Sequence, residues 1–356
     1  MPLPLPAHGR GAQTNATGRF ESLVHEKFDD GWTGDDAAPP KLKTTLDIDH
    51  ARTILNRNDS PDIGFDRSIN PYRGCEHGCI YCFARPTHAY LGHSPGLDFE
   101  SRLYFKPEAA RLLEKELSRP SYKPERIQLG ANTDPYQPIE RKLRITRSVL
   151  EVLERFAHPV GITTKNALIA RDADILGRMG QANLAMAALS ITSQDRKLAR
   201  AMEPRASTPD RRFDAIAALS AAGLPCSVSF APIIPGLNDH ELEAILERAA
   251  KAGARIAHFT VLRLPLEIKD LFAEWLQAEQ PDRAKKVMSL VRQMRGGRDY
   301  DSTWGKRMKG EGPIADLIAA RFRAACRRYG LNEARVTLDT TQFRRPAANG
   351  QRDLFG

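Results

Sequence analysis

No run in the 356-residue chain approaches the roughly 18 consecutive apolar residues that a membrane-crossing helix requires. The opening stretch, Met1 to Arg10, lacks the continuous apolar core of a secretory leader. A soluble, cytoplasmic protein without a membrane partner is therefore expected. Cysteine is scarce, with 5 in the chain, which together with the missing leader excludes a disulfide framework. Negative charge is also in deficit: 53 Lys and Arg stand against 44 Asp and Glu, a formal net charge of +9, so an anionic partner is worth seeking. The excess is concentrated between Arg292 and Arg345, where 13 Lys and Arg face 6 Asp and Glu, a local +7. No internal repeat is present.

The little cysteine there is comes grouped. Cys75, Cys79 and Cys82 stand at C-x3-C-x2-C spacing, cushioned by Gly74 and Gly78, whereas Cys226 and Cys326 lie far away. Such a loop can wrap one inorganic centre. Three thiolates can hold three irons of a 4Fe–4S cluster, leaving the fourth iron open to a substrate. Three cysteines with His77 or His88 could equally make a closed Cys3His zinc site. Spacing alone leaves both readings open.

Residues 1–60 are rich in Pro, Gly, Asp and Ala and read as a partly disordered N-terminal extension, with Phe20, Leu23, Val24, Phe28 and Trp32 as anchors that could dock it. A short helix is predicted over 47–58. Strand-like runs follow at 63–72, 126–129, 160–164, 184–192, 226–234 and 256–264, with a further one at 99–105. Helices separate them, at 107–117, 142–156 and 168–179, then after Thr208-Pro209 up to Gly223, and after Asn238 up to Gly253. The last of these opens on a predicted capping box of Asn238 and Glu241, with Leu237 stapled to Leu242. Six strands alternating with helices call for a parallel α/β sheet with right-handed crossovers, in a partial barrel or a doubly wound arrangement. Beyond about Ile268 the pattern is helical, over 271–277, 281–294 and 313–329.

Polar residues gather at the predicted strand ends, where parallel α/β folds bind ligands. Asn132, Thr133 and Asp134 follow the second strand, in a segment that could equally be a plain Asx or Pro turn. Lys165 ends the third, as a solvated charge or as an inward point charge for a carboxylate. Ser190 and Thr192 share one face of the fourth by strand alternation and need partners. Arg205 follows in Glu203-Pro204-Arg205, able to grip a carboxylate bidentately. The fifth strand runs into an apolar strip that includes Ile234.

The cysteine loop, with Tyr81 in the aromatic place before Cys82, resembles the radical S-adenosylmethionine (SAM) superfamily. More narrowly, the stretch from Asn70 to His88 resembles its spore photoproduct lyase-like branch, often labelled DNA repair photolyase-like. The resemblance covers residues 60 to 265 or so. It implies a six-stranded partial (β/α) barrel over 61–267, which the helical, basic C-terminal region already read from periodicity and charge follows over 268–356. It also implies a 4Fe–4S cluster on Cys75, Cys79 and Cys82, with SAM chelated at the open iron. A reductant such as flavodoxin or ferredoxin would drive cleavage of SAM to a 5′-deoxyadenosyl radical, which abstracts a hydrogen atom from the substrate. Asn132, Thr133 or Asp134 would receive the SAM amino group, Lys165 or Arg205 a carboxylate, Ser190 and Thr192 the ribose, and Ile234 would lie beside adenine. Spore photoproduct lyase returns a hydrogen atom from a cysteine near its second strand, and 130–138 contains none, so repair by that route is not implied.

A nucleic acid is the leading substrate class, held by the basic stretch 292–345 with Tyr300 and Trp304 to stack a base. The rival is a non-catalytic nucleic-acid-binding protein built on a zinc or iron–sulfur structural site. Cys226 and Cys326 sit among apolar neighbours and read as small core residues. Cys226→Ala and Cys326→Ala are accordingly expected to keep full iron content after anaerobic reconstitution; loss of iron from either would make that thiol part of the metal site.

Overall fold

The computed structural model describes residues 10–21 and 42–346. Ten strands are present among them: β1 (Thr45–Ile48), β2 (Leu55–Arg57), β3 (Arg67–Ile69), β4 (Tyr72–Arg73), β5 (Arg102–Phe105), β6 (Ile127–Leu129), β7 (Val160–Thr164), β8 (Ala185–Ser190), β9 (Cys226–Ile233) and β10 (Ile256–Val261). Seven form the main sheet, in the order β10-β9-β8-β7-β6-β3-β2. All neighbours in it run parallel except the edge pair β2 and β3. Monotonic order from β3 to β10 is what right-handed βα units produce when each new strand is laid beside the last.

Residues 47–58 do not form the predicted helix. They hold the end of β1 and all of β2 instead, because partner strands lie alongside. The run 63–72 is likewise two strands. Pro71, without an N–H to give a ladder, sits between β3 in the main sheet and β4 in a second, three-stranded sheet of order β1-β5-β4. That small sheet launches the cysteine loop, because Gly74 and Cys75 directly follow β4. The first part of 99–105 is helical, as α1 (Leu97–Ser101), and only Arg102–Phe105 is strand.

The remaining helices are α2 (Ala109–Leu117), α3 (Glu140–Leu143), α4 (Ile145–Arg155), α5 (Ala173–Gln181), α6 (Arg196–Met202), α7 (Pro209–Ala221), α8 (Leu242–Lys251), α9 (Ile268–Glu279), α10 (Pro281–Gln293) and α11 (Pro313–Arg328). The capping box before α8 is not made. Asn238 Oδ1 accepts from the Ile234 N–H and its amide donates to the Thr192 and Pro232 carbonyls, while Glu241 accepts from Ser193 and the Gln194 N–H. Both polar side chains are drawn to backbone groups of neighbouring strand ends. Leu237 and Leu242, the predicted staple, belong to different apolar clusters.

One cluster joins the sheet to α2, α4, α5, α7, α8 and α11 and contains Cys226 and Cys326. The other packs α9 and α10, with Phe272, Trp275 and Val287, against Cys79, Ile80 and Tyr81 of the cysteine loop. The far edge of the sheet is closed by side chains. Asn332 Oδ1 accepts from the Ala257 N–H at 2.9 Å and its amide donates to the Ala257 carbonyl at 3.1 Å, while the Val261 N–H donates to the Met308 carbonyl at 3.0 Å.

Residues 10–21 are docked. Arg10, Gly11, Ala12 and Gln13 are buried, and a Cβ on Gly11 would stand 1.9 Å from the Gly78 carbonyl oxygen. Phe20 is 56% exposed and leans on Tyr90 rather than entering the core. The other proposed anchors, Leu23, Val24, Phe28 and Trp32, lie outside the described residues.

Gly130, at the end of β6, has φ +81°, and a Cβ there would meet the Thr163 carbonyl oxygen of β7 at 2.1 Å. Gly130→Ala should cost about 1 to 3 kcal/mol from the backbone conformation alone, read as a lowered urea midpoint with an unchanged m-value.

Candidate active site

The ends of the parallel strands meet the cysteine loop around a cavity of ≈ 220 Å³. Cys75, Cys79 and Cys82 all line it as free thiols. Their loop is held by its backbone: the Cys75 N–H donates to the Phe99 carbonyl, the Ile80 N–H to Met202 and the Cys82 N–H to Cys79. The Arg85 guanidinium folds back under it, donating to the carbonyls of Gly78 at 3.0 Å and Cys79 at 2.9 Å and to those of Pro95 and Gly96. Its charge is met by fully buried Glu100, which also accepts from the Gly11 and Ala12 N–H groups. Burial pushes all three thiols up from their ordinary range, helped at Cys75 by nearby Asp134 and at Cys79 by nearby Glu203. Metal loading must therefore expel protons from them.

Neither histidine completes a closed zinc site by its contacts. His77 places Nδ1 3.3 Å from Asp134 Oδ2, and its Nε2 accepts from the Asn166 amide at 3.2 Å, so both ring nitrogens are engaged. His88 bonds the Arg102 carbonyl through Nε2 at 2.9 Å. Among the described residues no three His, Cys, Asp or Glu side chains converge to hold a single metal ion.

Of the residues singled out in the sequence, Tyr81, Asn132, Thr133, Asp134, Lys165 and Ser190 line the cavity. Asp134 is saturated by protein donors: Thr164 and the Tyr136 N–H on Oδ1, the Lys165 N–H and His77 on Oδ2. Burial alone would raise its carboxyl, but the contact with His77 and these hydrogen bonds hold it down at about 2. Thr133 is likewise spent, donating to the Tyr72 carbonyl at 2.8 Å. The Asn132 backbone N–H donates to Asn70 Oδ1, and its side-chain amide has no hydrogen-bond partner among the described residues. Lys165 Nζ lies 5.8 Å from the Tyr81 ring centroid, with no carboxylate at ion-pair distance among the described residues.

Thr192, Arg205 and Ile234 do not line the cavity. β8 ends at Ser190, so the alternation expected to bring Thr192 beside it stops; Thr192 instead lies buried, bonded to the Tyr81 hydroxyl and Glu203. Arg205 pairs with Glu76 at 3.1 Å and reaches Thr44. Ile234 is core beside Tyr81 and Trp275.

The charged pair beneath the cavity was not legible. Glu203 is fully buried, bonded to Tyr81, Thr192 and the Arg212 guanidinium, which also donates to the Ser190 carbonyl at 2.8 Å. Burial works against this carboxylate, yet Arg212 and Lys165 hold it at about 2. Arg263, Phe83 and Met308 also line the cavity. Their only sequence signal was a lone arginine inside the apolar run Val261 to Leu264 and an aromatic directly after the last cysteine.

Part of the basic stretch is engaged within the fold. Arg295 is buried against the Leu262 and Lys306 carbonyls, Arg298 pairs with Asp301, Lys306 with Glu311, and Arg307 with Asp62. Local acids and strand-end carbonyls thus engage these four cations of the stretch.

Breaking the Glu203–Arg212 pair strands a buried guanidinium. Glu203→Ala should cost about 3 to 5 kcal/mol in urea unfolding, and pairing it with Arg212→Met should recover part of the loss.

Comparison with known proteins places these features. An uncharacterized protein of Mycobacterium tuberculosis is 37% identical over 230 residues, covering 64% of this chain and 68% of its own. An uncharacterized protein of Methanocaldococcus jannaschii is 27% identical over 173 residues, covering 49% and 62%. Among solved structures, a cysteine-to-serine variant of spore photoproduct lyase shares the fold with a TM-score of 0.57 at 18% identity, over 82% of each chain. Another variant, holding AdoMet and a dinucleoside spore photoproduct, gives 0.54 at 16% over 80% of each. Residues 69–249 match the profile of the Radical SAM superfamily, and this stretch runs from β3 through the cysteine loop to α8; the chain belongs to that superfamily, whose members work with a 4Fe–4S cluster and S-adenosylmethionine.

Proposed function

We propose that this radical SAM enzyme abstracts a hydrogen atom from a nucleic acid. Cys75, Cys79 and Cys82 would hold the cluster, and the open parallel sheet is read as the superfamily's partial barrel. When bound and reduced, cluster and SAM together supply a 5′-deoxyadenosyl radical, and the electron comes from an external reductant such as flavodoxin or ferredoxin in the cytoplasm. Among the described residues no helix is long and apolar enough to cross a membrane.

The roles fall to residues with unspent bonding capacity. Asn132 would take the SAM amino group, Lys165 its carboxylate and Ser190 a ribose hydroxyl, each lining the cavity. Asp134 orders the wall by fixing Thr164, the Lys165 backbone and His77. Tyr81 and Thr192, tied to Glu203, floor the site, while Arg205 braces Glu76 within the cysteine loop. Ile234 supports from the core.

The substrate class is carried by one observation. Trp304 is 57% exposed on the loop whose Met308 lines the cavity and bonds the end of β10, a stacking surface for a base. The variant lyase of like fold binds a dinucleoside photoproduct, which supports the same class.

Protein prepared without oxygen should be brown, with about four irons per chain. Cys75→Ala, Cys79→Ala or Cys82→Ala should each lose the colour; stoichiometric zinc without iron uptake would defeat the assignment. With dithionite, SAM and deuterated oligonucleotides, deuterium should appear in 5′-deoxyadenosine. Oligonucleotide binding without any 5′-deoxyadenosine would point instead to a non-catalytic binding protein.

A further inference from the structure

Arginines buried in this fold are almost all spent. Arg85 is paired with Glu100, Arg212 with Glu203, and Arg295 is taken up by two carbonyls. Arg263 is the exception on the cavity wall. It stands two residues beyond β10, half-buried, with its guanidinium 5.2 Å from the centroid of the Phe83 ring. Nη1 lies 3.4 Å from the Met308 sulfur and Nη2 3.5 Å from the Tyr300 hydroxyl. Nε is buried and bonds nothing. Among the described residues no carboxylate lies at ion-pair distance from it.

A thioether is a weak acceptor and a phenol at that distance a marginal one, so a group with five N–H donors keeps most of its capacity. Charge, planarity and a forked donor edge suit it to an oxyanion taken bidentately, and the Phe83 face and Met308 make the surroundings apolar enough to strengthen such a bond. Lys165, the other uncommitted cation of the cavity, follows β7. Three strand spacings separate β7 from β10, about 14 Å along the sheet, so the two cations rise from well-separated strands. Phe83 directly follows Cys82, which sets the Arg263 site beside the cysteine loop.

The geometry points to Arg263 as the anchor for a phosphate of the substrate, seated over Phe83 at the wall opposite Lys165. This assignment rests on the nucleic-acid reading above. Arg263 contacts the substrate's phosphate and takes no part in the bond changes.

The test is equilibrium binding to reconstituted protein with SAM present, at low salt, using a short single-stranded thymidine oligonucleotide and its uncharged methylphosphonate counterpart. Wild type should prefer the phosphodiester. Arg263→Gln should weaken it by about tenfold, the loss expected for a hydrogen bond to a charged group, and leave the methylphosphonate affinity where it was. Arg263→Lys, which keeps the charge but not the fork, should fall between. Iron content and thermal midpoint equal to wild type establish that each variant is folded. Equal weakening of both ligands would make Arg263 a packing residue and overturn the assignment, as would an unchanged phosphodiester affinity in Arg263→Gln. A wild-type protein that binds neither oligonucleotide overturns the substrate class itself, and a carboxylate-bearing peptide that it binds and Arg263→Gln releases would move the anchor to a peptide substrate.

Discussion

The buried pair of Arg85 and Glu100 is the constraint on which the metal loop depends. A guanidinium taken out of water is tolerable only if both its charge and its N–H groups are satisfied. Here the carboxylate meets the charge, and four carbonyls take the donors, two of them from Gly78 and Cys79 inside the loop. Glu100 in turn receives the backbone of Gly11 and Ala12. One ion pair thereby ties three segments distant in sequence. Folding energy spent on that pair is recovered as preorganisation of the thiols.

A second buried pair, Glu203 with Arg212, does the same for the opposite floor. It locks Tyr81 and Thr192 and reaches the Ser190 carbonyl. The cavity is thus framed by satisfied charges, and the two cations left uncommitted, Lys165 and Arg263, stand out against that background.

Much of this was legible in the chain. The cysteine spacing marked the loop, and the runs at 160–164, 226–234 and 256–264 coincide closely with β7, β9 and β10 because their apolar stretches are bounded by Gly, Pro or charge. Residues 47–58 were misread because β1 and β2 are stabilised by ladder bonds to β5 and β3, information that local propensity does not carry. Asn238 and Glu241 had the right spacing for a capping box, yet tertiary backbone groups outbid the helix end. Charge misled in the same way. A count over 292–345 does not show that Arg295 is consumed by carbonyls, nor that Arg263 on the cavity wall, outside the basic run, has no ion pair among the described residues. Glu203 and Arg212 escaped because nothing local distinguishes a carboxylate that will be buried from one that will be solvated.

The closing of β10 by Asn332 and Met308 has a consequence for the molecule's behaviour in company. A parallel sheet that stops at an open strand offers unpaired N–H and C=O groups to any extended chain nearby. Asn332, at φ +64°, presents its amide to Ala257 as a substitute for one residue of a neighbouring strand, and the Met308 carbonyl takes the Val261 N–H. Because Met308 also lines the cavity, the rim of the site and the seal of the sheet are one piece of chain. Loosening that loop to admit a larger ligand would bare a strand edge, so the width of the entrance is linked to the protein's resistance to self-association.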